Sequence, residues 1–476
     1  MKSLKYLAIG AMIMGLSAPV MAQTVDYKPQ LEAITKVISN EAAAKPLIKE
    51  YLKSFKKNPE ALVALGNAYL MAKDCDKATR ESMALQYADM ALARNKNYGD
   101  AFILKGDIEA INDDGGEAAM WYQQAMMLDP QNPEGYMRYA NVNRKVSPEE
   151  SARVLNELRK IRPDYPVDAE TAHSYYTANK FDKALEYFAK CDINQLDEEK
   201  LFEYAFSAYN NNQKDKALEI SKIGVNKFPK RLTYKRLAMW SAVEVKNYEE
   251  GIKYAEDAIK SSTEHTALVY TFYGLALKGA ERYDEAIEQF KKASDIDKND
   301  VASLQYISET YTAKGDEDKA IEYAKLYMDK NTNASPSDYS KLANIYMQKA
   351  EKNIDKEANF AKGAEIFESM AAKFPTIAAY PYLQIGNWAL VLDLNDKCVQ
   401  PFEKVVSMLT GKTTLDSDEQ GYLKEAYSRL GLYYWSVKDD LESAKPYYQK
   451  VYELDPNDEN AKRALGIDQE AQEVTE

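Results

Sequence analysis

A metal centre or a nucleophilic site in this chain would have to use its two histidines, His173 and His265, or its three cysteines, Cys75, Cys191 and Cys398. Neither histidine has a second His or Cys at metal-ligand spacing. The run Asp113-Asp114-Gly115-Gly116-Glu117 is acidic and carries glycine, but it lacks the alternating oxygen ligands of a calcium loop and is expected to be a solvated turn. No glycine-rich loop is placed to cradle a phosphate, and no nucleophile elbow is present. With 75 Asp and Glu residues, pairs of acids arise by chance, and nothing singles out two of them for acid–base work. The expectation is therefore no catalytic, cofactor or metal site, and a chain that works by binding.

Composition narrows what is bound. The net charge is −13, and losing Lys2 and Lys5 with a leader would take the mature chain to −15. Such a surface repels phosphate backbones and anionic membrane faces, which argues against nucleic acid as partner. Lys2 and Lys5, the apolar run Leu7 to Leu16, and small residues at Val20 and Ala22 read as a secretory signal cut after Ala22. No cysteine lies at that point to take a lipid. The expected location is exported and periplasmic, in soluble form, with no membrane insertion after cleavage. Three cysteines are too few for a disulfide framework, so packing must hold the fold.

The elements that do the packing repeat. Gly274, Ala286 and Ala293 are spaced by 12 and then 7 residues, and so are Gly106, Ala118, Ala125 and Ala205, Ala217, Gly224. Ala172, Ala184, Cys191 and Gly386, Cys398, Val405 follow the same rule; Met239, Gly251, Ala258 and Ser308, Ala320, Tyr327 follow it with larger substitutions. First members at 172, 205, 239, 274 and 308 lie 33, 34, 35 and 34 apart. Two antiparallel helices approach closely only where small side chains face each other, and a third small residue admits the next pair. Pro130, Pro163, Pro229, Pro375 and Pro456 mark unit ends, where proline stops a helix. Cys191 and Cys398 occupy small core positions and are expected to be buried and inert; Cys75 falls in an inserted loop and is expected to be accessible.

On these spacings, and on the endings Leu128-Asp129-Pro130 and Leu454-Asp455-Pro456-Asn457, the chain resembles the tetratricopeptide repeat family, most plainly over 267–300 and 302–331. The resemblance covers nearly all of the mature chain. It implies an all-α, right-handed superhelical solenoid of about eleven helix pairs with a C-terminal capping helix. The expected order is a signal peptide at 1–22 and an N-terminal array at 23–164 with a degenerate first pair and an insertion near 73–81. The most regular block follows at 165–331, then a C-terminal array with insertions at 332–456, and a capping helix with acidic tail at 457–476.

The same resemblance implies protein or peptide partners in a concave groove lined by the first helix of each pair, at repeat positions 2, 5, 9 and 12. Three consecutive units place there Ala169, His173 and Tyr176; Phe202, Phe206 and Tyr209; Arg236, Trp240 and Val243. Aromatic and Arg side chains are common interface anchors, although they also pack between neighbouring first helices, and both readings stand at this point. The family's carboxylate clamp needs Lys at position 5 with Asn at position 9. Here Asn67, Asn141, Asn344 and Asn387 accompany Val63, Met137, Ser340 and Leu383, so that clamp is not expected. The leading expectation is an extracytoplasmic, non-enzymatic scaffold or adaptor. A stoichiometric subunit of an envelope assembly, a carbohydrate-binding solenoid, and an enzyme with an unrecognised site stay open.

Overall fold

The computed structural model describes residues 26–467, and the expected leader, its cleavage point at Ala22 and the acidic tail lie outside them. The chain divides into two compact units, one running to Val245 and one starting at Lys246, so the division falls inside the regular block 165–331. Every regular element among the described residues is helical. The first unit holds α1 (Lys28–Thr35), α2 (Glu41–Phe55), α3 (Pro59–Met71), α4 (Lys77–Leu92), α5 (Gly99–Ile111), α6 (Gly115–Leu128) and α7 (Pro133–Asn143). It continues through α8 (Pro148–Ile161), α9 (Val167–Thr177), α10 (Phe181–Phe188), α11 (Glu198–Asn210), α12 (Lys214–Lys227) and α13 (Leu232–Glu244). The second unit holds α14 (Tyr248–Lys260), α15 (Ala267–Gly279), α16 (Tyr283–Ile296), α17 (Ala302–Lys314), α18 (Glu317–Lys330) and α19 (Pro336–Glu351). After these come α20 (Lys356–Lys373), α21 (Ala379–Val391), α22 (Val399–Thr410), α23 (Ser417–Leu432), α24 (Leu441–Leu454) and α25 (Glu459–Leu465). In chain order these make twelve successive pairs plus α25, one pair more than the sequence suggests, because insertions in three units blur the repeat count.

Within each unit the helices form an all-α solenoid: each packs on the next, and first helices of successive pairs touch directly, as α9 does α11 and α15 does α17. In most pairs, though not in α1–α2, α3–α4 or α7–α8, a left-handed residue turns the chain between the two helices. Asp113, Asn179, Asn212, Lys246, Glu281, Gly315 and Asp393 all have positive φ, each seven residues after its unit's first small residue. Asn and Asp tolerate that region better than most residues. The remainder of the Asp113–Glu117 run is an ordinary cap, since Asp114 accepts the Glu117 amide at 3.0 Å to start α6.

The insertions lengthen helices more than loops. Residues near 73–81 add a short loop and the first turn of a 16-residue α4. The extra residues at 348–359 make α19 and α20 16 and 18 residues long. A π-turn at Tyr433–Val437 adds one residue after α23. The expected cap over 457–472 is the seven-residue α25, stopped by Gly466 at φ +77°.

The small residues do what their spacing requires. A Cβ on Gly274 would stand 2.5 Å from the Phe290 ring, one on Gly106 2.4 Å from Tyr122, and one on Gly386 2.5 Å from Phe402. In each case the glycine of the first helix admits an aromatic sixteen residues on, in the second helix. In the α23–α24 pair Gly431 meets Tyr448, seventeen on, because of the π-turn residue. Gly224 at the third position takes the Tyr234 ring of α13.

Cys398 is buried as expected, and burial pushes its thiol up to about 11. Cys191 is only half-buried, against expectation: α10 ends at Phe188, so Cys191 lies beyond the helix that should have enclosed it. Cys75 is half-buried as well, its Sγ directed at the Ile38 carbonyl at 3.8 Å.

One buried acid makes a testable demand. Asp107 is 4% exposed and accepts the Tyr122 hydroxyl at 2.8 Å, while Arg138 Nη1 stands 3.6 Å away. Burial pushes its carboxyl above the usual range, outweighing the Arg138 charge and the Tyr122 hydrogen bond. A carboxyl raised on folding holds more protons in the native state, so it makes stability fall as pH rises through its folded pKa. Asp107→Asn, which keeps an acceptor for Tyr122, should therefore be more stable than wild type at pH 8 by about 1 kcal/mol. The gap should close as the pH is lowered. Urea melts at several pH values check this; a variant less stable than wild type at pH 8 would contradict it.

Candidate partner-binding groove

The groove residues read from the sequence lie on α9, α11 and α13, all in the first unit. The structure packs Tyr176, Phe202, Phe206, Tyr209 and Trp240, all half-buried, against one core cluster, with Arg236 one helical turn before Trp240 on α13. Tyr176, Phe206 and Phe181 of α10 meet edge to face at 6.1 Å in all three pairings. Phe202 stacks on Phe206 at 5.8 Å and meets Tyr234 edge-on at 5.7 Å. Tyr209 and Trp240 lie 6.4 Å apart, with the Lys214 ammonium 3.5 Å from the Tyr209 ring centroid. Such contacts add roughly 0.5–1.5 kcal/mol per pair beyond buried area. The rings thus pack on the core and on one another; Tyr234 is fully enclosed, while Tyr176, Phe181, Phe202, Phe206, Tyr209 and Trp240 are half-buried. Burial pushes the Tyr176 and Tyr209 phenols up, which keeps both neutral hydrogen-bond donors.

Two cationic groups differ sharply here. Arg236 is half-buried, its Nε is shielded from solvent, and it makes no hydrogen bond or ion pair among the described residues. A guanidinium in that state retains five donors for an incoming acceptor. Arg144, by contrast, is engaged: its Nη1 lies 2.6 Å from His173 Nε2, and His173 Nδ1 lies 2.7 Å from Glu203 Oε1. Arginine only donates, so His173 must present a lone pair at Nε2 and carry its proton on Nδ1, donated to Glu203.

His173 is therefore a buried bridge, 9% exposed, and not an open groove residue; its position-9 side chain turns into the contact between α9 and α11. Sequence reasoning missed Phe181, Arg144 and Glu203. Phe181 belongs to a second helix, and Glu203 occupies a position between the groove-facing ones, so repeat position gives no signal for either. His265 belongs to the second unit, its ring edge-on to Tyr270 at 5.9 Å. No group of three or more His, Cys, Asp or Glu placed to hold a metal occurs among the described residues. No helix among them is long and apolar enough to cross a membrane.

Residues 267–300 and 424–458 match the family model for the tetratricopeptide repeat. They are the α15–α16 and α23–α24 pairs, two of those built on glycine facing an aromatic ring. Most of the other pairs repeat their helix order and left-handed turn, and the chain carries tetratricopeptide repeats, which supports a protein-interaction scaffold. No curated protein matches it. Among solved structures it is similar to the C-terminal part of a TPR repeat-containing protein from Cytophaga hutchinsonii. That match has 20% identity, 56% of this chain and 99% of that one covered, and a TM-score of 0.45. It is also similar to MamA from Desulfovibrio magneticus RS-1, at 19% identity, 41% and 92% coverage and a TM-score of 0.30. MamA MSR-1 matches at 18% identity, 34% and 94% coverage and a TM-score of 0.32.

Proposed function

We propose that this protein is an exported scaffold that holds a partner protein against the groove of its first unit. The observation that carries the reading is Arg236, a half-buried guanidinium one helical turn before Trp240, whose Nε is shielded from solvent and makes no hydrogen bond. A shielded donor without an acceptor costs stability, and a partner carboxylate would satisfy it with the aromatics supplying apolar contact area. The partner segment is accordingly acidic with apolar residues at its flanks. Charge complementarity is local, since the chain as a whole is acidic. The basic, apolar, small-residue pattern ending at Ala22 supports an extracytoplasmic location. A stoichiometric envelope subunit is the narrower form of the same reading, distinguished by co-purification at constant ratio.

The test is crosslinked capture from native envelope with the mature chain, whose N-terminus should be Gln23. Wild type is compared with Arg236→Glu and with Phe202→Ala, Phe206→Ala, Trp240→Ala combined, each checked by circular dichroism. Arg236→Glu reverses a charge that holds nothing together, so it should fold normally and lose at least tenfold in affinity for the captured partner. Equal capture by wild type and Arg236→Glu would assign the groove residues to packing alone.

A further inference from the structure

The second unit contains a cavity of about 540 Å³ between α17, α18 and α19. Ser308 and Ala324, which faces it sixteen residues on, both line the cavity, as does Tyr327 at the third small position. Tyr122, Phe188, Phe290 and Phe402 stand at the place of Ala324 in other pairs, while Ser221 and Ala255 are small there too. While α15 packs on α17, α19 on α21 and α21 on α23, α17 and α19 are not joined in this close series.

The lining defines what fits. Ala313, Ala324, Met328, Leu342 and Ile345 give apolar walls. The mouth carries charge, but the charge is already neutralised: Lys278 and Lys341 donate to opposite oxygens of Glu309 at 2.9 and 2.8 Å. Burial pushes the Glu309 carboxyl up, but the hydrogen bonds from Lys341 and Lys278 outweigh it and hold it below the usual range. Asp338 is taken up by Ser335, which donates to it from both its amide and its hydroxyl at 2.8 Å. The neutral amides of the lining are those of Gln348, of Gln305, whose nitrogen donates to Glu309 at 3.2 Å, and of Asn344, whose oxygen accepts from Trp388 at 3.1 Å. An apolar void of about 150 Å³ suffices to bind benzene, and small-molecule pockets run from about 300 to 1,000 Å³. This cavity exceeds what a single side chain fills.

We propose that the second unit binds a small uncharged apolar molecule, larger than one aromatic ring and bearing at most one hydrogen-bonding end, between α17, α18 and α19. The site is separate from the groove on α9, α11 and α13, and it stands whether or not that groove binds protein.

The probe is N-phenyl-1-naphthylamine, an uncharged two-part aromatic, titrated into the full chain and followed by fluorescence. Wild type should show saturable enhancement at one site. Ala324→Phe places an aromatic ring on the cavity wall and should bind the probe at least tenfold more weakly. Ala313 is exposed at the mouth, so Ala313→Trp should block entry without entering the core, and it decides the matter should Ala324→Phe misfold. Arg236→Glu, in the other unit, should leave the titration unchanged. A wild-type chain without saturable enhancement would overturn the proposal, as would undiminished binding by a folded Ala324→Phe or Ala313→Trp.

Discussion

Gly274→Ala is expected to destabilise the wild-type protein by about 2–3 kcal/mol, yet to be neutral or stabilising once Phe290 has been replaced by Ala. The new Cβ would stand 2.5 Å from Phe290 Cε1 and 2.7 Å from Cδ1, inside any tolerable contact, and the ring is fully buried with no room to yield. Phe290 also stacks on Tyr306 at 5.3 Å, so moving it disturbs α17 as well. Phe290→Ala alone should cost about 3–5 kcal/mol, through lost burial and the cavity left in α16. In that background the obstruction is gone. Alanine is intrinsically better than glycine inside a helix by about 1 kcal/mol, and its methyl fills part of the void. The two substitutions should therefore be strongly non-additive. Because repeat arrays do not always unfold in one step, hydrogen exchange in α15 and α16 should accompany the urea melts. Additive effects would mean that the glycine is there for some reason other than the aromatic it faces.

That cycle marks where sequence reading succeeds and where it stops. The 12-and-7 spacing of small residues is legible because close helix approach admits few alternatives, and it leads directly to the helix pairs. Prolines 130, 163, 229, 375 and 456 each lie two residues beyond the end of a second helix, as their missing N–H requires. The aromatic that each glycine admits is less visible. It recurs sixteen residues on, but the chain has 36 tyrosines and many stand at other positions. The cavity in the second unit is harder still. Ala324 lines it at a place where Tyr122, Phe290 and Phe402 stand in other pairs, but Ser221 and Ala255 are small there as well, so a small residue at that place does not by itself announce a cavity.

The groove was half legible for a related reason. Repeat position selects Phe202, Phe206, Tyr209, Arg236 and Trp240, and in the structure the four aromatics pack against one core cluster. It does not fix whether a polar side chain at such a position stays in the groove or turns into the helix contact. That depends on partners from neighbouring pairs. His173 turns inward because Arg144, after α7, and Glu203, on α11, flank it; Arg236 has no comparable pair and stays open.

The inward bridge leads to the second large expected effect. His173→Ala should destabilise the first unit by about 3 kcal/mol or more, and His173→Leu combined with Glu203→Leu should recover most of that loss. Glu203 is 2% exposed, and the proton on His173 Nδ1 is the hydrogen bond its Oε1 accepts; its Oε2 accepts none. Removing the imidazole leaves that carboxylate shielded from water with its Oε1 partner gone, and removes the acceptor that faces Arg144 Nη1. The cost is that of stranded polar groups more than of a lost contact. With both residues replaced by leucine, the carboxylate is gone and the space is filled by apolar side chains of comparable size. Only Arg144 then needs a new acceptor, and its half-buried position lets water supply one. Glu203→Gln should fall between the two, since an amide oxygen still accepts from Nδ1 and no charge is buried. The ordering is what discriminates: if the double variant is less stable than His173→Ala, the bridge contributes stability of its own, and helices α9 and α11 depend on the His173–Glu203 hydrogen bond to keep their register.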